Sequence, residues 1–268
     1  MVQRTKTRAR FLASRYTDPT SQSLPHSACH KQCMYAYSYG DGSLTVGSLG
    51  SETFTLGSTQ IQKVGFGCGF LNAGIFRSNE SGIAGFGRGP LSLISQLGYG
   101  KFSYCFTSFG ESKSSPVLFG SAADLNNWTS GKVQSTPLVT NPAVPTLYYL
   151  TLTGINNGWY DTSGNTEVDI FLERQRIDAF DLCFRLPSSS SDKVEVPKFT
   201  FHFEDADLEL PTENYMAQDP DNSAICLVMG KSLDGSTVIG NFQQQNVQIL
   251  CDLERRKLSF VPARCDQL

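Results

Sequence analysis

An all-β fold is what this sequence of 268 residues predicts, and three observations carry the prediction. Short runs of alternating apolar and polar residues recur along most of the chain, as strands with one buried face require. Turn-forming residues punctuate those runs, with 24 Gly and 12 Pro in the chain. Helical periodicity is confined to two short stretches, residues 1–16 and 91–97. The composition, 40% hydrophobic with 18 Phe and 10 Tyr, is enough to bury a sizeable core.

Taken in order, residues 1–16 set Val2, Ala9, Leu12 and Ala13 among Arg4, Lys6, Arg8, Arg10 and Arg15, the pattern of a basic amphipathic helix. Residues 17–32 are rich in Ser, Pro, Thr and His and read as loop. "MYAYSY" then alternates up to Gly40-Asp41-Gly42, a turn signal, and "SLTVGSLGSETFTLG" alternates again, which predicts a long hairpin. "IQKVGFGCG" is the strand that follows. In "SGIAGFGRGPLSLISQLGYG" the apolar Ile83, Ala84 and Phe86 are interleaved with glycines, so backbone passes close to backbone, and Pro90 opens a helix over 91–97. "SPVLFGS", "VQSTPLV" and "YYLTLTGI" are further strands. Residues 168–180 are charged and irregular. Strand signals resume in "KFTFHFE", "DLELP", "AICLVMG", "STVIGNF", "VQILCDLE" and "KLSFVP". The run Ser81 to Phe86 is echoed by Ser236 to Phe242, apolar residues leading to a Gly and an aromatic. The echo predicts two lobes, each with a strand passing under a neighbouring loop.

Charge and cysteine usage exclude several classes of function. The net charge of −3 leaves no basic field for nucleic acid, and no apolar run approaches the roughly 18 residues of a membrane span. The eight cysteines are far apart, and Cys29–Cys33 has no matching pair to complete a zinc site, so disulfides in an oxidising compartment are the reading. The sequons at Asn79 and Asn127 agree with it. The first sixteen residues hold no apolar core of the kind a signal peptide needs. His26, His30 and His202 are scattered, His202 as an exposed strand residue, and no Gly-rich nucleophile turn accompanies them. No metal or other cofactor is expected.

Eight segments in register then become specific: "CMYAYSYGDGSLTVGSLGSETFTL", "VGFGCGFLNAGIF", "SGIAGFGRGPLSLISQLGYGKFSYCF", "LYYLTLTGI", "FDLCF", "FTFHFEDADLELPTENY", "AICLVM" and "STVIGNFQQQNVQILCDLERRKLSFVPARC". Together, over most of residues 29–265, they resemble the plant nepenthesin-type aspartic peptidases of the pepsin-like family. The resemblance implies a bilobal all-β fold, incomplete here in both lobes, with a substrate cleft closed by a hairpin flap. Residues 1–20 resemble the end of a pro-segment, 21–112 an N-terminal lobe with its flap, and 113–268 a C-terminal lobe. Tyr39, Gly40, Asp41, Gly42 and Ser43 fall at the flap's tip, where the Tyr packs beside a polypeptide substrate and excludes water. The resemblance also implies disulfides Cys183–Cys226 and Cys105–Cys265, a monomer, and a secreted, vacuolar or apoplastic location. Cys29, Cys33 and Cys68 belong to a set whose other members lie in a segment missing here. Cys251 stands where the family has an aromatic residue and reads as a buried free thiol.

Aspartic peptidases need two carboxylates close enough to share one proton, one acting as base toward water and the other as acid toward the carbonyl oxygen. The family supplies them from Asp-Thr-Gly or Asp-Ser-Gly loops, one per lobe, and this sequence contains neither tripeptide. Asp161 in "YDTSGNTE" has an extra residue before its Gly and reads as a surface turn. Asp41 belongs to the flap and Asp234 to a loop. The two places where the family carries its catalytic loops correspond to residues 15–29 and 156–179, both much shorter here. The expected function is therefore that of an aspartic endopeptidase by family, inactive in this chain. The alternatives are a binding protein on the same fold, like the xylanase-inhibitor-like proteins, or a non-functional fragment.

Overall fold

The computed structural model describes residues 33–39, 42–74, 82–111, 113–114, 116–125, 131–156, 174–177, 180–186, 196–219, 221–230 and 236–268. The chain divides into two units. One runs to Tyr99 and takes in Thr140–Tyr149, and the other comprises Gly100–Val139 and Leu150–Leu268. Both are built from strands.

In the first unit β1 (Met34–Ser38), β2 (Leu44–Leu56) and β3 (Thr59–Ala73) form an antiparallel sheet in the order β1-β2-β3. The predicted alternation produces this hairpin. Pairing of Leu56 with Thr59 leaves a two-residue loop, and Gly57 occupies its first position at φ +59°, where a side chain would be strained. The helix α1 (Leu93–Leu97) starts two residues later than predicted, because the Ser92 hydroxyl caps it by accepting from the Ser95 N–H at 3.2 Å. Gly98, at φ +68°, ends it. Gln96 fastens this helix to β3: its amide oxygen accepts from the Gly65 N–H at 2.6 Å, and its amide nitrogen donates to the Gly65 carbonyl at 3.0 Å and the Leu91 carbonyl at 2.9 Å.

The second unit holds three sheets. β4 (Lys101–Cys105), β5 (Val117–Phe119), β6 (Gln134–Pro137), β14 (Val247–Asp252) and β15 (Lys257–Pro262) form a five-stranded sheet in the order β5-β4-β14-β15-β6. The register puts Phe102, Ile249, Cys251 and Phe260 on one face and Ser103, Cys105, Gln248 and Val261 on the other, all of them buried. Both faces of this sheet are therefore buried, although the alternating sequence pattern predicted one buried face, and polar Ser103, Thr136, Gln248 and Ser259 are buried with the apolar residues. β7 (Leu152–Asn156), β10 (Phe199–Phe203) and β11 (Ala206–Leu210) make a second sheet, and Phe203 meets Phe260 of the first edge-on at 6.3 Å. β8 (Arg174–Ile177), β9 (Phe180–Arg185), β12 (Met216–Asp219) and β13 (Ala224–Leu227) make the third, ordered β12-β13-β9-β8.

Disulfides join Cys105 to Cys265 and Cys183 to Cys226, the latter two directly opposite each other on β9 and β13. With sequence separations of 160 and 43, they stabilise by about 5 and about 4 kcal/mol in the chain-entropy account. Cys33 is disulfide-bonded to a partner outside the described residues, while Cys68 and Cys251 are free. Cys251 is buried, and burial pushes its thiol up to about 12.

Three departures from the sequence reading have physical causes. Residues 174–177 form a strand inside a stretch read as irregular, because pairing with β9 and packing of Ile177 and Phe180 on Cys183, Ala224 and Cys226 override a weak local pattern. β12 was not expected at all and exists by pairing with β13. "STVIGNF" is not a strand: residues 236–240 run irregularly with Val238 52% exposed. Side chains take the place of a neighbouring strand there, the Gln244 amide donating to the Ile239 carbonyl at 2.9 Å and Gln243 accepting from the Gly240 N–H at 3.1 Å. Its echo behaves alike. Residues 82–86 are also irregular, with Ile83 61% exposed.

Candidate functional site

The β1–β2 hairpin is the candidate site, because it alone carries the residues singled out as substrate-facing. At its tip the Tyr39 N–H donates to the Ser43 carbonyl at 2.6 Å, and the Gly42 N–H donates back to the Tyr39 carbonyl at 3.0 Å. Gly42 sits at φ +83°. The half-buried Tyr39 ring packs edge-on against Tyr37, with centroids 4.9 Å apart. Ser43 is buried, and a Cβ at Gly74 would lie 2.4 Å from its hydroxyl, so the tip closes tightly on the end of β3. Gly40 and Asp41, also singled out at this tip, lie outside the described residues, as do Asn79, Asn127, Asp161 and Asp234.

Below the tip, glycines on β2 and β3 make room for an aromatic ring. A Cβ at Gly67 would come within 2.6–2.9 Å of the Tyr35 ring and hydroxyl, and one at Gly47 would meet the same ring at 2.6 Å. The Tyr35 ring thus packs closely against both glycines, and its hydroxyl meets Thr45 Oγ1 at 3.1 Å. Thr45 donates in turn to the Asn72 side chain at 2.7 Å. Farther along, Leu49, Gly50, Gly65, Phe66, Gly67 and Leu91 line an apolar groove with about 310 Å³ of empty space, part of it open to solvent. An aromatic tip over small and apolar residues can cover an extended chain, and the described residues of the tip, Tyr39, Gly42 and Ser43, include no carboxylate.

Several of the described carboxylates are held in ion pairs away from the hairpin tip. Asp252 pairs with Arg255, Glu209 with Lys198, Asp207 with His202, and Asp266 with Lys113 and Arg264. The hydrogen bond from Lys113, at 3.2 Å, holds the Asp266 carboxyl below the ordinary carboxylate range, and Arg264 adds to the effect. The His202–Asp207 pair, 2.6 Å between Nδ1 and Oδ1, was missed by the sequence reading. The two residues face each other across β10 and β11, and only the strand register reveals it. Among the described residues no group of three or more His, Cys, Asp or Glu could hold a metal ion.

Comparison with known proteins gives the hairpin its context. Residues 3–121 match the xylanase inhibitor N-terminal family and residues 163–262 the xylanase inhibitor C-terminal family. The aspartic proteinase nepenthesin-1 of Nepenthes gracilis is 39% identical over 284 aligned residues, which cover 91% of this chain and 64% of that protein. The chain belongs to the nepenthesin-like branch of the pepsin-like aspartic peptidase family. Aspartyl protease family protein 2 of Arabidopsis thaliana is 33% identical, the alignment covering 93% of this chain and 59% of that protein. The chain spans about 64% of the length of nepenthesin-1. Because the 284-position alignment exceeds all 268 residues here, stretches of nepenthesin-1 inside the matched region have no counterpart in this member of the branch. Solved structures agree on the fold. Soybean basic 7S globulin superposes with a TM-score of 0.67 at 18% identity, covering 87% of this chain and 74% of that one. The aspartic proteinase of Irpex lacteus gives 0.62 at 17% identity, covering 87% and 82%.

Proposed function

We propose that this polypeptide is a non-catalytic member of the aspartic peptidase family, which keeps the substrate-covering hairpin and has lost the carboxyl pair beneath it. The observation that carries the reading is the absence of any Asp-Thr-Gly or Asp-Ser-Gly tripeptide from all 268 residues. Two further observations support it. Internal stretches of nepenthesin-1 lack counterparts, and the two echoing Gly-rich segments, which suit strands under a neighbouring loop, lie irregular with Ile83 and Val238 exposed. Peptide hydrolysis by the aspartic peptidase mechanism needs two carboxyls sharing a proton. The full-length relatives act as proteinases on polypeptides, so a polypeptide is the ligand class for the hairpin. The disulfides favour a secreted or vacuolar location.

A second reading is a binding protein on the same fold. It is favoured by the match of both halves to families described as xylanase inhibitor. Pepstatin, which imitates the tetrahedral intermediate between the carboxyls, separates an intact site from both readings. Thermal melting of the full chain at pH 4 should show no pepstatin-dependent rise in Tm, whereas a saturable rise would contradict the loss of the pair. A rise in Tm with a glycoside hydrolase, and none with pepstatin, would favour the binding protein.

A further inference from the structure

Cys33 stands just before β1 and is disulfide-bonded, yet its partner is none of the described cysteines. Of the eight cysteines, four pair as Cys105–Cys265 and Cys183–Cys226, and Cys68 and Cys251 are free. Only Cys29 is left. From this we infer that Cys29 and Cys33 form a disulfide at the root of the hairpin, and that reduction opens it before either of the buried disulfides.

The register explains why Cys33 does not join the other cysteine of its own sheet. The Leu49 N–H donates to the Cys33 carbonyl at 2.7 Å, which sets Cys33 beside β2, and Leu49 pairs with Gly67 on β3. Cys68 therefore lies two strands away from Cys33, about 9.5 Å at the usual strand spacing. Disulfides span roughly 4.4–6.8 Å between Cα atoms, so these two cannot meet. Cys29 precedes Cys33 by four residues, and a single α-turn brings such a pair within range.

Loop size and access make this bond the easiest to reduce. A native disulfide resists reduction to the extent that it stabilises the fold, and in the chain-entropy account that stabilisation grows with the loop it closes. Cys29–Cys33 closes a loop of four residues' separation, against 43 and 160 for the others. Cys33 is partly exposed, whereas Cys105, Cys183, Cys226 and Cys265 are each at most 1% exposed. Lys31 stands two residues from both Cys29 and Cys33, and a neighbouring cation favours the thiolates that reduction releases.

The bond acts as a clasp on the hairpin. It fixes the chain where the Cys33 carbonyl holds the Leu49 amide, two residues before Tyr35 packs against Gly47 and Gly67. Opening proceeds by thiol–disulfide exchange with a small dithiol. One thiolate of the dithiol attacks a sulfur of the bond, forms a mixed disulfide and releases the other cysteine. The second thiol of the reagent then attacks the mixed disulfide, closes its own disulfide and releases the remaining cysteine. Two electrons and two protons pass from the dithiol to the two cysteines.

The test uses the purified full chain, equilibrated with oxidised and reduced glutathione. Free thiols are blocked in denaturant, and trypsin then cuts after Lys31, inside the loop. The expected product is peptide 16–31 linked to peptide 32–63, with Cys68 and Cys251 blocked. On titration with dithiothreitol, Cys29 and Cys33 should open at a concentration roughly tenfold below that needed for the other two disulfides. The Leu49 amide should then exchange on the order of tenfold faster, while amides of β14 and β15 keep their protection. Cys29→Ser should give the same fast exchange without reductant and leave Cys33 open to labelling. The inference fails if Cys33 of the wild-type chain is recovered blocked or linked to any other peptide. It fails equally if all the disulfides open together, or if exchange at Leu49 is the same before and after reduction.

Discussion

Replacing Gln96 with Leu tests how the helix holds the hairpin. The substitution keeps roughly the same side-chain volume but removes an acceptor for the Gly65 N–H and a donor to the Gly65 and Leu91 carbonyls. Each such bond contributes about 1 kcal/mol net, and a half-buried backbone group left without a partner costs at least that. Loss of the three bonds should therefore destabilise the first unit by about 2–3 kcal/mol. Hydrogen exchange localises the effect: the Gly65 amide should exchange on the order of 30- to 150-fold faster, the factor that 2–3 kcal/mol represents. Amides of β14 and β15, in the other unit, should keep their wild-type protection. Unchanged exchange at Gly65 would refute the latch, and equal acceleration in both units would show a global rather than local effect.

Other predictions follow from single contacts. Gly67→Ala should cost about 1–3 kcal/mol by driving a methyl into the Tyr35 ring, and combining it with Tyr35→Ala should give less than the sum of the single losses in urea melts. Cys251, at about 12 rather than 9.0, should hold about 1000-fold less thiolate than an exposed thiol at pH 8, so a thiol reagent should label Cys68 at once and Cys251 only on unfolding. Its folded value lies above the unfolded one, so its contribution is full below about pH 9 and lost as pH rises toward 12, by about 1.4 kcal/mol per unit; Cys251→Ala should flatten that slope relative to wild type. Asp266 has the opposite sign: its stabilisation is full above its ordinary 3.8 and is lost as pH falls through the lower folded value, a dependence that Asp266→Asn should remove in acid melts.

Much of the fold was legible because its causes are local. The alternation of "MYAYSY" and "SLTVGSLGSETFTLG" and the turn residues between them produced β1 and β2 directly, and the helix expected over 91–97 after Pro90 formed at Leu93–Leu97. What the sequence hid depends on partners distant in the chain. Residues 174–177 became a strand because β9 lies beside them, and "STVIGNF" stayed irregular with no described strand beside it. At the hairpin tip, Tyr39 and Ser43 were singled out by resemblance alone. The platform of Gly47 and Gly67 under Tyr35 was not, since it needs the register of three strands.

The central claim, that this polypeptide has no catalytic carboxyl pair, is tested most directly by hydrolysis. The purified full chain would be incubated with an unfolded protein substrate between pH 2 and pH 6, with and without pepstatin, and new α-amino groups counted over time. The account predicts no release above the enzyme-free control at any pH. Release that pepstatin abolishes, and that scales with the concentration of this chain, would contradict it.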